Sequence, residues 1–138
     1  AVRALLGAAG AADRVHLLND VPDMPGLLAA CNLCVLPAES LYAKMDLPLV
    51  LIEALSLGVP IVVTHRPPLS ELLEHGDVGL GVPPVEPFAL AAAIRSLVAG
   101  GDGLTRLGAA AVRVARARFD IRAVSARYEQ LYDDLIRG

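Results

Sequence analysis

Short apolar runs alternate with longer amphipathic stretches along the first 82 residues of the chain. Four runs have the length and composition of strands buried on both faces, at residues 14–19, 33–36, 60–63 and 78–82. The other stretches have helical spacing, which predicts helices at residues 2–11, 23–30, 47–57 and 67–75. Strands that alternate with helices are typical of a parallel sheet. We therefore predict an α/β fold, a Rossmann-like parallel sheet with helices on both faces.

After residue 82 the strand signals cease. Three amphipathic stretches follow, and they predict closing helices at residues 86–99, 104–118 and 121–137. Four strands are few for a doubly wound domain, and the chain opens on a predicted helix, with Ala1 in place of Met. We therefore expect further strands upstream in a longer protein, so that residues 1–138 form a single partial domain.

The composition is that of a folded, soluble domain, with 55% hydrophobic and 20% charged residues. The net charge of −3 gives no general attraction to nucleic acid, and no uncharged apolar run reaches the roughly 18–20 residues of a transmembrane segment. Cys31 and Cys34 have a spacing that occurs in redox and zinc sites. Because there is no second pair, we interpret them as core thiols of a cytoplasmic protein.

One carboxylate interrupts the apolar segment at residues 47–63, where every residue except Glu53 is apolar, Gly, Pro or Ser. Burial of a carboxylate is costly unless it is paired. The helix predicted around Glu53 has apolar residues in all directions, so we expect it to be buried nearly all round. Helical side chains lean toward the helix N-terminus, so Glu53 is expected to point toward the preceding loop. That loop contains Lys44 and Asp46 and follows the carboxyl end of a strand, where open α/β sheets bind ligands.

The start of this helix suits an anionic ligand. Asp46 is a candidate N-cap, Pro48 suits the first turn, and Gly58 ends the helix. Free N–H groups at a helix N-terminus favour phosphate, and a carboxylate one turn further on is suited to ribose hydroxyls. These residues are equally compatible with a structural role for Glu53, paired with an arginine or capping a neighbouring helix.

Three consecutive motifs carry a resemblance to a known family. They are LPLVLIEALSLGVPIVVT, SELLEHGDVGLGVPP and EPFALAAAIRSLV, and they resemble the C-terminal, donor-binding half of retaining GT-B glycosyltransferases. This large group includes glycogen synthases, sucrose synthases and mannosyltransferases, and the resemblance covers essentially the whole chain in order. It implies a nucleotide-sugar donor, an acceptor of unknown identity and an N-terminal domain upstream, with no metal and no cofactor.

The resemblance places the donor contacts on the segment that ends at Glu53. In the family, the second of two glutamates binds the donor ribose, and that role falls on Glu53. The first glutamate contacts the transferred sugar, and its position is taken here by Met45. The family's Gly-Phe-Gly-Leu is replaced by four other residues, Asp46, Leu47, Pro48 and Leu49. Lys44 and Asp46 are candidates to supply the missing contact.

The resemblance also gives expectations for other segments. The family's base pocket follows the strand predicted at residues 14–19, which indicates Asn19 and Val21 as base contacts. The basic residues that neutralise the donor diphosphate in the family fall before the first residue of this chain.

Three further expectations come from the residues themselves. His16 is predicted to be a core residue of its strand. His65 and Arg66 follow a strand at its carboxyl end, which places them toward the same cleft. The arginines of the helix at residues 104–118 are interpreted as its solvated side.

The leading hypothesis is the donor-binding half of a sugar-transferring enzyme, inactive as an isolated chain. Met45 in place of the first glutamate keeps an alternative open, a non-catalytic nucleotide-binding or assembly module. If an N-terminal domain normally covers part of this surface, the isolated half is expected to self-associate.

Overall fold

The computed structural model describes residues 1–40 and 47–138. Within them, three strands form one parallel sheet in the order β1 (Cys34–Leu36), β2 (Ile61–Thr64) and β3 (Gly79–Val82). Val62 lies opposite Val35 on one side and Leu80 on the other. All four residues of β2 are buried, as expected for the continuous apolar sequence of a central parallel strand. The predicted α/β class is confirmed.

Helices account for most of the remaining structure. Those that the structure describes are α1 (Val2–Ala8), α2 (Met24–Ala29), α3 (Leu49–Ser56), α4 (Pro87–Ala99), α5 (Gly103–Phe119) and α6 (Ile121–Arg137). Two short 3₁₀ helices lie at Ala12–Arg14 and Leu69–Leu73. The three closing helices match the predicted segments to within a few residues.

Local capping explains several helix boundaries. The Asp23 carboxylate accepts a hydrogen bond of 2.9 Å from the Gly26 N–H and so caps α2, as predicted. Asp120 caps α6 in the same way. α3 ends before Gly58, whose φ of +77° is the left-handed conformation that favours glycine.

The core lies where α3, β2 and α5 meet. Leu51 and Leu55 of α3, Ile61 of β2 and Ala111 of α5 are fully buried in one cluster. α5 comes so close to the turn after α3 that a Cβ at Gly108 would overlap a backbone carbonyl oxygen of that turn. This packing fixes α3 against the sheet and therefore fixes the orientation of its other face.

The strand predicted at residues 14–19 is wrong. Val15 has extended dihedral angles (φ −122°, ψ 119°), but this segment pairs with no strand among the described residues. Leu18 is 62% exposed, and His16 is exposed instead of buried in the core. An apolar run becomes a buried strand only where a neighbouring strand supplies its hydrogen bonds and a second layer covers it.

Two predicted helices are shorter than expected. The segment at residues 67–75 contains only the 3₁₀ helix at Leu69–Leu73, because Pro67 and Pro68 supply no N–H group and Gly76 follows closely. The helix predicted at residues 47–57 begins at Leu49, so Pro48 lies at the N-cap position and not in the first turn.

Candidate functional site

Three loops and one helix N-terminus meet at the carboxyl edge of the sheet. β1 ends at Leu36, β2 at Thr64 and β3 at Val82. α3 lies between β1 and β2 in the chain, and a helix that connects two parallel strands runs back against them. Its N-terminus therefore lies at the carboxyl ends of the strands, which is where open α/β sheets bind ligands.

α3 buries only one of its faces. Leu51, Ala54 and Leu55 are buried, whereas Leu49 is 61% exposed and Glu53 is exposed on the same side as Leu49. The prediction that this helix is buried nearly all round is therefore wrong. Glu53 needs no partner to offset desolvation, since its carboxylate lies in solvent. Its side chain makes no ion pair or hydrogen bond with any described residue. The described residues therefore supply neither the arginine partner nor the neighbouring helix cap that a structural role for Glu53 would require.

The first turn of α3 has backbone donors beside this carboxylate that find no acceptor among residues 1–40 and 47–138. Leu51 donates the first hydrogen bond of the helix, to the Pro48 carbonyl oxygen at 3.0 Å. The N–H groups of Leu49 and Val50 have no acceptor in the described part of the chain. Such groups carry the positive end of the helix dipole. This end of the helix therefore favours an anion, and Glu53 lies one turn away on the exposed side.

The remaining predicted donor contacts are only partly visible. Leu47 packs, partly buried, against the core, and Pro48 is half-buried. Lys44, Met45 and Asp46 lie outside the described residues. The capping role predicted for Asp46 falls there as well.

The loops after β1 and β2 are joined at this edge. The Arg66 guanidinium donates a 3.1 Å hydrogen bond to the Glu39 carbonyl oxygen. The His65 N–H donates to Val82 O at 2.7 Å, and its ring lies over Gly81, where a Cβ would come within 3.0 Å of the ring. The structure thus places both residues at the carboxyl edge, as expected.

A cavity of about 210 Å³ opens where the strands end. Its walls come from the ends of all three strands and from the start of α4, namely Pro37, Thr64, Val82, Pro83, Val85, Glu86, Pro87 and Leu90. Val85 has a φ of +57°, which is costly for a β-branched residue. The sequence predictions did not include this cavity, although Thr64 directly follows the strand predicted at residues 60–63 and Val82 ends the one predicted at residues 78–82.

The predicted base contacts lie in a different part of the chain. The Asn19 amide hydrogen-bonds to the neighbouring Asp20 carboxylate at 3.3 Å, and Val21 is half-buried. The cavity of about 340 Å³ in this region is lined by α1 and the segment that follows, namely Arg3, Leu6, Ala12, Val15, His16, Leu17 and Leu18. It therefore stops one residue before Asn19.

The two cysteines do not form a reactive centre in this conformation. Cys31 is exposed and its Sγ donates to Leu27 O at 3.2 Å. Burial raises the pKa of the Cys34 thiol, and the nearby Cys31 raises it further. Because redox and zinc chemistry both require the thiolate, a raised pKa disfavours either use of Cys34. Among the described residues, no three His, Cys, Asp or Glu side chains are grouped so that they would hold a metal ion.

The described residues, 1–40 and 47–138, contain six α-helices and two 3₁₀ helices. None of their helices combines the length and the apolar character needed to cross a bilayer.

Comparison with known proteins identifies the class of protein that this fold and site define. Residues 1–100 match the family model described as glycosyl transferases group 1. Since the match spans well over half of the chain, the protein belongs to this family. The predicted GT-B glycosyltransferase resemblance is confirmed.

Individual relatives agree with this assignment. The chain is 33% identical over 138 residues to the exopolysaccharide phosphotransferase SCO2592 of Streptomyces coelicolor, covering 98% of this chain and 14% of that protein. The structure of sucrose-phosphate synthase from Thermosynechococcus elongatus superposes with a TM-score of 0.80 at 28% identity, over 99% of this chain and 34% of that one. Anabaena Alr3699/HepE, solved in complex with UDP, gives a TM-score of 0.85 at 25% identity over 96% of this chain and 36% of that one.

The coverage is asymmetric in each of these comparisons. Nearly all of this chain is matched, but it spans only 14–36% of the length of the three proteins named above. The similarity therefore defines the family and fold of this portion, and does not by itself transfer a whole enzyme's activity to it.

Proposed function

We propose that this chain binds the nucleotide part of a nucleotide-sugar donor and forms the donor half of a longer glycosyltransferase. The observation that carries the proposal is the placement of Glu53. Its exposed carboxylate lies one helical turn from the N–H groups of Leu49 and Val50, which have no acceptor among the described residues, at the carboxyl edge of the sheet. A carboxylate and a set of backbone donors at this separation complement a ribose and a phosphate.

Structural relatives support the choice of ligand. Anabaena Alr3699/HepE has been solved with UDP, with UDP-glucose, and with UDP and glucose together. These complexes belong to a protein whose fold this chain shares over 96% of its length. By analogy, we infer a nucleoside diphosphate at the carboxyl edge here, with its diphosphate at the start of α3.

The roles of the residues follow from that pose. Glu53 accepts hydrogen bonds from the ribose hydroxyls, and the backbone of Leu47, Pro48 and Leu49 faces the diphosphate. Lys44 and Asp46 replace the sugar contact that Met45 does not make. Asn19 and Val21 contact the base. We further propose that transfer retains the anomeric configuration, that no metal takes part, and that an upstream domain binds the acceptor in the cytoplasm.

Glu53→Ala is expected to weaken nucleotide binding by about 10- to 100-fold. The variant removes charge-assisted hydrogen bonds, each of which contributes about 1.5–3 kcal/mol. The 138-residue chain is titrated with UDP, GDP and ADP, and backbone amide shifts are followed by NMR. The proposal expects one nucleotide to bind preferentially, with the shifts centred on residues 47–53.

Glu129→Ala is the matched control, because Glu129 is also an exposed helical glutamate but lies on α6. It is expected to leave the affinity unchanged within about twofold. Equal affinity of the Glu53→Ala and unaltered chains would remove Glu53 from the site. If none of the three nucleotides binds to the unaltered chain, the chain does not by itself form the donor site.

Met45 gives the second candidate function, a module that binds nucleotide without transferring sugar. The two candidates differ in the fate of the donor. We expect Met45→Glu to leave UDP binding in place and to increase donor turnover in the longer polypeptide if the missing carboxylate limits transfer. A longer polypeptide that binds the donor but never consumes it, with either residue, would favour the non-catalytic module.

A further inference from the structure

A second recess, separate from the carboxyl edge, is rich in arginine. It has a volume of about 520 Å³ and lies between the loop before β3 and helices α5 and α6. The polar residues that line it are His75, Asp77, Arg113, Arg118 and Arg127. Three guanidinium groups thus share one recess with a single carboxylate, in a chain whose net charge is −3. We call this recess the arginine groove.

The guanidinium groups of the arginine groove form no ion pair among the described residues. The ion pair found among the described residues joins Arg137 to Asp133 at 3.6 Å, away from the groove. Neither Asp77 nor any other described carboxylate lies within 4.0 Å of a groove arginine. Three like charges beside a single carboxylate leave an excess of positive charge in the groove. The arrangement therefore creates a local positive potential that favours a bound anion.

Specific contacts hold two of the three arginines in place. Arg127 of α6 donates a 3.1 Å hydrogen bond to Ala117 O in the last turn of α5. An Arg118 nitrogen lies 3.2 Å from His75 Nδ1. Because a guanidinium can only donate, this contact is a hydrogen bond in the tautomer whose Nδ1 carries no proton. Each guanidinium has five N–H groups, so both arginines keep donors available for a ligand.

The floor of the groove is narrow and made of small residues. Gly76 approaches α5 so closely that a Cβ there would lie 2.8 Å from Val114 Cγ2. Ala110 and Ala117 also line the groove, and their short side chains occupy little of its volume. The recess is consequently open to a small ligand between its cationic walls.

The arginine groove lies at the opposite edge of the sheet from Glu53. His75 and Asp77 immediately precede β3, and the Ile61 N–H at the start of β2 hydrogen-bonds to Val78 O at 3.1 Å. The groove is therefore at the amino ends of the strands, whereas the α3 N-terminus is at the carboxyl ends. A ligand in one site does not reach the other.

We propose that the arginine groove binds the phosphate group of a small soluble phosphate ester. A phosphate monoester carries a charge of about −1.5 to −2 at neutral pH and three terminal oxygens. Arginine presents N–H groups in a planar fork that matches pairs of phosphate oxygens. Three such groups complement a tetrahedral dianion better than a single planar carboxylate. The proposal is independent of the donor site.

Inorganic phosphate is the probe. The 138-residue chain is titrated with phosphate at constant ionic strength, and the amide shifts of residues 75–77 and 113–118 are followed by NMR. We expect saturable shifts there with a Kd on the order of 1 mM. Arg113→Ala is expected to raise this Kd about tenfold through the loss of one charge-assisted contact. Arg113 makes no hydrogen bond or ion pair with another described residue that would be lost with it.

Arg116→Ala is the matched control. Arg116 is an exposed arginine of the same helix, but it lines a different recess together with Ser56 and Phe119. Its removal lowers the net charge equally and is expected to change the phosphate Kd by less than about twofold. Thermal melts of both variants verify that the fold is intact.

Several outcomes would overturn the proposal. One is an equal phosphate Kd for Arg113→Ala and Arg116→Ala, which would indicate general charge attraction. Another is tighter binding of malonate than of phosphate, which would make the ligand a carboxylate. A third is capture by phosphatidylglycerol vesicles without any shift from free phosphate. Finally, if Arg113→Ala lowers the affinity for UDP as much as Glu53→Ala does, the groove is part of the donor site.

Discussion

Leu55→Ala is expected to lower the free energy of unfolding by about 2–5 kcal/mol. Leu55 is fully buried in the cluster where α3, β2 and α5 meet. The substitution removes the apolar contacts of the side chain and leaves a cavity that rigid neighbours fill only in part. Urea denaturation followed by circular dichroism measures the change, and the slope of the transition should stay constant if both variants unfold in two states.

Leu57→Ala provides the comparison, since it makes the same chemical change two residues along the chain. Leu57 is 44% exposed, so we expect a loss below about 1 kcal/mol. Similar losses for the two variants would contradict the one-sided burial of α3. That result would also weaken the placement of Glu53 on its exposed face.

Gly108→Ala is expected to destabilise the protein by about 1–3 kcal/mol, although alanine is normally the better helix former by about 1 kcal/mol. A Cβ at this position would overlap the Gly58 carbonyl oxygen and lie 3.4 Å from its carbonyl carbon. Both atoms belong to the backbone, so no side-chain rotation relieves the overlap. α5 must move away from the turn after α3. Thermal unfolding should show a lower Tm.

Gly103→Ala tests the steric explanation within the same helix. A Cβ at Gly103 meets no described atom within 4 Å. Because no steric overlap offsets the higher helix propensity of alanine, the substitution should be neutral or slightly stabilising. The two glycine variants are thus expected to change Tm in opposite directions or by clearly different amounts. A neutral Gly108→Ala would show that α5 and α3 pack less closely than described.

The fold was largely predictable where local patterns and tertiary packing agree. β2 is an apolar run in the sequence and is buried along its whole length in the structure. Asp23 caps the start of α2, and Gly58, with its positive φ, follows the end of α3. The segment at residues 14–19 has the same apolar character but pairs with no described strand. A single sequence does not reveal whether a partner strand is present, because pairing is a non-local property.

The candidate site was predicted in part, for a reason that differs from the one first given. Glu53 was selected as a carboxylate that burial would penalise, yet the structure exposes it. Its apolar neighbours Leu49 and Leu57 are exposed as well. Because apolar residues lie on both the buried and the exposed face of the helix, the sequence does not show which face packs against the core. The Arg66 hydrogen bond to the loop after β1 and the cavity where the strands end join residues distant in sequence. Residues that are distant in sequence can be assigned to one site only when the order of the strands in the sheet is known.

The closing helix α6 is expected to unfold locally before the rest of the protein. None of its 17 residues is buried, and apolar side chains such as Tyr132 and Leu135 are 60% and 70% exposed. Most of the stability of a helix in a protein comes from tertiary packing, and the packing partner of α6 in the described structure is α5. Its amide protons should therefore exchange with solvent through local opening, at free energies well below that of global unfolding, while those of α3 and β2 exchange last. In native-state hydrogen exchange, α6 would behave as a separate cooperative unit. Its amide protons would exchange more slowly if another polypeptide covered its exposed apolar side chains.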